Sequence, residues 1–195
     1  MAQRSRLPDR LQPGIRILFV GINPGRRSAE TGHHFAGPSN RFWKLLYAAA
    51  LVSEPLTYRD DWRLPEWGLG LTNIISRCSA GIDVLEAKEY QAGLGVLTRK
   101  VQRYQPQIVA LLGVTIFRTI FGKHRQLPSR LDLGLTGSCL AGVPVFLLPN
   151  PSGRNAHYSY GEMLEAFQIL RHSRSAMTTG HPSKRHLRQD EAGRP

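Results

Sequence analysis

The sequence predicts an α/β fold, a three-layer α/β/α sandwich around a short, mainly parallel sheet. Three observations predict it. Apolar runs rich in branched residues end abruptly in Gly or Pro; helix-like stretches alternate with them; and 195 residues with 41% hydrophobic content suffice for one buried core. Strands that alternate with helices place the helices on both faces of a parallel sheet.

Residues 1–14 are polar and rich in Arg and Pro, without apolar periodicity, and are expected to form a flexible arm. Residues 15–20 then read as a buried strand that runs into Gly21-Ile22-Asn23-Pro24-Gly25. A helix is expected over 40–51, opened by Pro38-Ser39, and a longer one over Ala87–Tyr104. Ile108–Leu112 is the second strand, residues 115–121 a third helix, Val143–Leu148 the third strand, and 163–170 the last helix. The domain is thus expected over 15–172, and residues 173–195 as a basic disordered tail. Ligands of parallel sheets sit at the carboxyl ends of the strands. Here those ends are 21–25 and the loop Pro149-Asn150-Pro151-Ser152-Gly153.

A formal net charge of +12 favours a polyanionic partner, with nucleic acid foremost. Residues 171–195 hold six Lys/Arg against Asp190 and Glu191, so most of the excess lies outside the tail. Cys78 and Cys139 are too few for a disulfide framework or for a four-cysteine zinc or iron–sulfur site. No apolar run reaches the roughly 20 residues that span a bilayer, and residues 1–10 lack the apolar segment of a signal peptide. The expectation is a soluble intracellular protein, cytoplasmic or nucleoid-associated in a bacterium. A nucleotide-binding reading lacks both the G-x-G-x-x-G and the G-x-x-x-x-G-K-[ST] pattern.

By itself, Gly21-Ile22-Asn23-Pro24-Gly25 reads as a strand-ending turn. Its continuation is Thr31-Gly32-His33-His34-Phe35-Ala36-Gly37-Pro38-Ser39-Asn40-Arg41-Phe42-Trp43-Lys44. With GINPG at 21–25, GHHFAGPSNRFWK at 32–44, GLTN at 70–73, YQPQIVALLG at 104–113 and LPNPSG at 148–153, the chain resembles the thymine/mismatch-specific uracil DNA glycosylases, a branch of the uracil-DNA glycosylase superfamily. The motifs follow that family's order and spacing from about residue 15 to 170.

The resemblance implies a monofunctional DNA glycosylase of base excision repair, without metal or cofactor, expected to act as a monomer. It would flip a mispaired uracil or thymine (G·U, G·T and related damaged pyrimidines) from double-stranded DNA and hydrolyse the N-glycosidic bond, leaving an abasic site. A catalytically weak DNA-damage binding module on the same fold is the alternative. A pyrimidine inside a duplex is unreachable, so it must be extruded into a pocket. Fixed backbone N–H groups then stabilise the anion of the departing base.

By resemblance, Asn23 positions the attacking water, the backbone of Ile22 and Phe35 contacts the base, and the Phe35 ring stacks on it. An amide accepts no proton, so turnover is expected to be slow. His34 is a candidate for the base pocket as a neutral donor, Asn73 for the Watson–Crick edge or as a loop-capping amide, and Ser28 for favouring uracil over thymine. The second motif, Asn150, Pro151, Ser152, Gly153, Arg154 and Asn155, closed by Ala156-His157, would occupy the minor groove and fill the space left by the flipped nucleotide. Arg154 stands where an apolar wedge is usual, and is read either as wedge or as phosphate contact, with Gly153 allowing close approach to DNA. Arg26, Arg27, Arg41 and Lys44 are candidate phosphate contacts, or solvated surface charges.

Overall fold

The computed structural model describes residues 7–79, 81, 83–122, 127–128 and 131–179, with the backbone alone for 174–179. Five strands form one sheet: β1 (Ile17–Gly21), β2 (Leu69–Asn73), β3 (Ile108–Leu112), β4 (Gly134–Leu140) and β5 (Val143–Leu148). Their order is β2-β1-β3-β5-β4, and only β4, paired with β5, runs antiparallel. The expected α/β class with a mainly parallel sheet is the one observed.

Alternate residues of β1 explain the layers. Ile17 and Phe19 join one apolar cluster, with Phe42, Leu45 and Leu46 of α2 (Phe42–Ala48), Leu64 of the 3-10 helix Tyr58–Trp67, and Met163 and Phe167 of α5 (Tyr160–Thr179). Leu18 and Val20 join the other, with Tyr90, Leu97 and Val101 of α3 (Ala87–Tyr104) and Ile116 and Phe117 of α4 (Val114–Phe121). Since successive side chains of a strand point to opposite faces, a strand apolar at every position needs cover on both.

After β1 the chain passes to β2 on one side, then crosses back to β3 on the other. The crevice between the carboxyl ends of β1 and β3 is therefore the topological switch point. A short helix, α1 (Arg26–Thr31), follows β1 there.

β3, β5 and α3 have the expected bounds, whereas β2, β4, α1 and the 3-10 helix were not anticipated. α5 extends to Thr179, beyond the expected boundary at 172, since the polar run Arg171-His172-Ser173-Arg174-Ser175 carries no apolar periodicity to read. Residues 180–195 of the expected tail lie outside the described residues, as do 1–6 of the expected arm.

The rest of that arm is a correction. Leu7 is buried, and Arg10 pairs with Leu71 by two backbone hydrogen bonds of 2.9 Å. Asp9 accepts from the Thr72 hydroxyl at 2.6 Å and pairs with Lys100 at 2.6 Å. The physical reason lies in β2, an edge strand whose outer backbone groups need partners. A polar segment supplies them as well as an apolar one, so polarity misled.

Candidate active site

Four strand ends meet at one open cleft of about 1390 Å³. β1 delivers Ile22 and Asn23 to its wall, β2 delivers Asn73, β3 Leu112 and Val114, and β5 Asn150.

Asn23 enters with its amide already oriented. Its Nδ2 donates to Ser79 Oγ at 2.7 Å, to the Pro24 carbonyl at 3.2 Å and to the Arg77 carbonyl at 3.5 Å. Two of these partners are carbonyls, which only accept, so the amide orientation is fixed and Oδ1 has no donor among the described residues. Ser79 in turn donates to the Gly81 carbonyl. Nothing in the sequence singles Ser79 out, since it lies 56 residues from the side chain it holds.

Gly21 and Asn73 are register partners across β1 and β2. A Cβ on Gly21 would lie 2.5 Å from Asn73 Oδ1 and 3.8 Å from the tip of the Phe35 ring. Glycine at the strand end thus lets the Asn73 amide cross the sheet edge towards the Phe35 ring. This is a close-approach requirement rather than a turn requirement.

Phe35 adopts φ +53°, a left-handed conformation that costs a residue with a side chain on the order of 1–2 kcal/mol. Its neighbours hold it there. The His34 N–H donates to Asp61 Oδ2 at 2.9 Å and the Ala36 N–H to Ser28 Oγ at 3.1 Å. Among the described residues the Phe35 N–H has no protein acceptor, while its ring packs against Phe42 at 4.2 Å between centroids.

His34 and Ser28 line the cleft, yet His34 Nε2 and Ser28 Oγ are engaged by backbone groups of Pro8 and Ala36. His34 Nε2 lies 3.0 Å from the Pro8 carbonyl, so that nitrogen carries the proton and is spent on the N-terminal segment. Burial holds the ring neutral by lowering its pKa, against the raising influence of the Pro8 hydrogen bond and Asp61. Asp61, missed in the sequence because Asp60-Asp61 reads as surface, is fully buried beneath this loop.

The second loop braces itself. Asn150 Oδ1 accepts from the Ser152 N–H at 3.0 Å, Asn155 Nδ2 donates to the Asn150 carbonyl at 2.8 Å, and Ser152 Oγ accepts from the Arg154 N–H at 3.3 Å. It is also stitched to the first loop, with the Arg41 N–H donating to the Pro151 carbonyl at 2.9 Å. A Cβ on Gly153 would lie 2.3 Å from Ser39 Cβ, so the close approach this glycine permits is by Ser39 of the same chain. Arg154 is exposed at the apex, and its guanidinium has no partner among the described residues.

Of the expected phosphate contacts, Arg26 and Arg27 line the cleft; Arg41 and Lys44 do not. Arg41 turns its guanidinium towards Met163 of α5, 3.6 Å from Sδ, and Lys44 is exposed on α2. The Arg27 and Arg59 guanidiniums near the half-buried Tyr58 lower the pKa of its hydroxyl. His157, which closes the second motif, lines the cleft too, and so do Arg118 and Tyr158, neither of them anticipated; Asp83 is the single acidic residue among the described lining. The cleft is thus rimmed by Arg26, Arg27, Arg118 and Arg154. Among the described residues no group of three or more His, Cys, Asp or Glu could hold a metal ion, and no helix is long and apolar enough to cross a membrane.

Comparison with known proteins adds two findings. A provisionally assigned uracil DNA glycosylase from Methanosarcina acetivorans, solved by solution NMR, superposes with a TM-score of 0.59 at 17% sequence identity, over 87% of this chain and 97% of that one; at that identity the likeness is one of fold. The model of the uracil DNA glycosylase superfamily matches residues 8–185, from the strap on β2 through both cleft loops and beyond α5. On that span, the chain belongs to the uracil DNA glycosylase superfamily.

Proposed function

We propose that the protein is a monofunctional DNA glycosylase that excises a mispaired uracil or thymine, and related damaged pyrimidines, from duplex DNA. The observation that carries this reading is Asn23, whose Nδ2 is pinned by Ser79 and two carbonyls so that Oδ1 is left to orient a water. The water oxygen bonds to C1′ of the sugar, the C1′–N bond breaks, and its electron pair leaves with the base; the proton passes to solvent. The Phe35 N–H, without a protein acceptor, is suited to meet the anion that develops on that base. Phe35 offers its ring for stacking, and Asn73 offers both a donor and an acceptor to the base edge.

Asn23 orients but does not deprotonate, so the chemistry depends on a good leaving group. A mismatched base costs less to extrude, which favours G·U and G·T over paired A·U. Arg154 is read as the wedge, its methylene stem filling the stack and its guanidinium reaching the orphaned base. No lysine is among the described residues of the cleft lining, which supports hydrolysis without a Schiff-base step.

The test is single-turnover cleavage, with EDTA present, of oligonucleotides carrying one uracil or thymine in G·U, A·U, G·T and single-stranded contexts. Abasic product from G·U, lost in Asn23→Ala while duplex binding persists, is expected. A parent protein that binds these duplexes and forms no abasic product would instead be a damage-binding module.

A further inference from the structure

Beneath the Phe35 loop lies a carboxylate that the proposed chemistry does not use. Asp61 has no exposed surface. Oδ1 lies 3.0 Å from His33 Nδ1 and 3.0 Å from Arg10 Nε, and Oδ2 accepts from the His34 N–H at 2.9 Å. Arg10 Nη2 also donates to the Gly32 carbonyl at 3.2 Å, and His34 Nε2 donates to Pro8. One side chain of the 3-10 helix thus ties residues 32–34 to residues 8–10.

A buried charge is retained where several donors satisfy it, and removing one partner is costly. The position of this charge is informative. It takes the N–H immediately before Phe35, while Ser28 takes the one immediately after. Two side chains from different elements therefore hold the residue between them at φ +53°, with its N–H left over.

We propose that Asp61 is a positioning residue: with Arg10 and Pro8 of the N-terminal strap, it locks the His33–Phe35 loop so that the Phe35 ring and N–H are fixed against the flipped base. The inference rests on the reading of Phe35 as the base-stacking residue. Asp61→Asn keeps one accepting oxygen and replaces the other by an NH₂, so either the His34 N–H or the His33 and Arg10 side loses its carboxylate oxygen. The loop is then released on one side.

The expected result for Asp61→Asn is a saturated single-turnover rate on G·U duplex lower by about 10- to 100-fold, the effect of a small misplacement of a positioned group, with duplex affinity unchanged. A purely structural role would add its effect to that of Phe35→Ala. A role exercised through Phe35 predicts that Asp61→Asn costs little more once Phe35 is alanine. Hydrogen exchange of the Ala36 amide in free protein gives a readout without activity: its acceptor is Ser28, so faster exchange in Asp61→Asn reports release of the whole loop. If Asp61→Asn does not fold, Arg10→Gln loosens the same lock from the strap side and is carried through the same cycle.

Additive losses, or unchanged Ala36 exchange, would overturn the proposal. A parent that cleaves no substrate defeats the functional reading instead, and Ala36 exchange then decides the positioning role by itself.

Discussion

His34 lines the cleft as its motif suggests, but the structure turns its donor away from the cleft. The sequence placed it in the base pocket as a neutral donor. It is neutral and it does donate, but to Pro8, and the ring is buried. Its pKa is lowered from about 6.5, chiefly by burial, so the folded protein binds fewer protons than the unfolded chain below that pH. Stability from this group is therefore complete above about pH 6.5 and falls as the pH drops, by up to about 1.4 kcal/mol per pH unit until the folded group titrates. His34→Gln can keep an N–H near Pro8 without titrating. Urea unfolding at pH 7.5 and 5.5 is expected to show a smaller loss for the variant than for the parent; equal losses would mean that His34 is not the group responsible. Asn23, Phe35 and Asn73 were legible because short motifs carry them. Asp61 and Ser79 were not, because each acts through a contact between residues distant in sequence.

Between elements, the two cleft loops behave as one piece. The Arg41–Pro151 hydrogen bond and the seating of Gly153 on Ser39 join the loop before α2 to the loop after β5. Glycine at 153 reads in sequence as room for DNA, whereas the room is filled from within. A Cβ there would lie 2.3 Å from Ser39 Cβ and 2.7 Å from its carbonyl oxygen, so relief requires backbone movement. Gly153→Ala is expected to destabilise the protein by about 1–3 kcal/mol and to slow saturated single-turnover cleavage, because the Arg154 apex moves with the loop. Thermal unfolding and cleavage of the same preparation check it; an unchanged melting temperature would mean that Ser39 yields freely. Strands β3 and β5 were legible because every β3 residue, and the last four of β5, are buried and apolar. β2, with Gly70 and Thr72, and β4, with its alternating exposure, do not spell a buried run.

At the scale of the whole molecule, charge and geometry divide the labour of DNA binding. The net charge of +12 draws a polyanion, and Arg26, Arg27, Arg118 and Arg154 concentrate part of that charge at the cleft rim. Duplex affinity is thus expected to fall steeply with salt, while the saturated cleavage rate, which the proposed function assigns to Asn23 and the Phe35 loop, is not. Residues 180–195 add Lys184, Arg185, Arg188 and Arg194 against Asp190 and Glu191. If those cations reach phosphates, each neutralised phosphate contributes about 0.9 to the slope of log affinity against log salt. Truncation after residue 179 is then expected to reduce that slope by about one to three and to weaken non-specific and specific duplexes by similar factors. Saturated single-turnover cleavage of G·U is expected to stay unchanged, since truncation leaves every residue of the cleft lining in place. Fluorescence anisotropy across a salt series, beside single-turnover assays at saturating enzyme, separates the two effects. An unchanged slope would show that the tail does not touch DNA. A slower saturated step would mean that the tail acts on flipping itself, because counterion release alone changes how much DNA is bound and not how quickly bound DNA reacts.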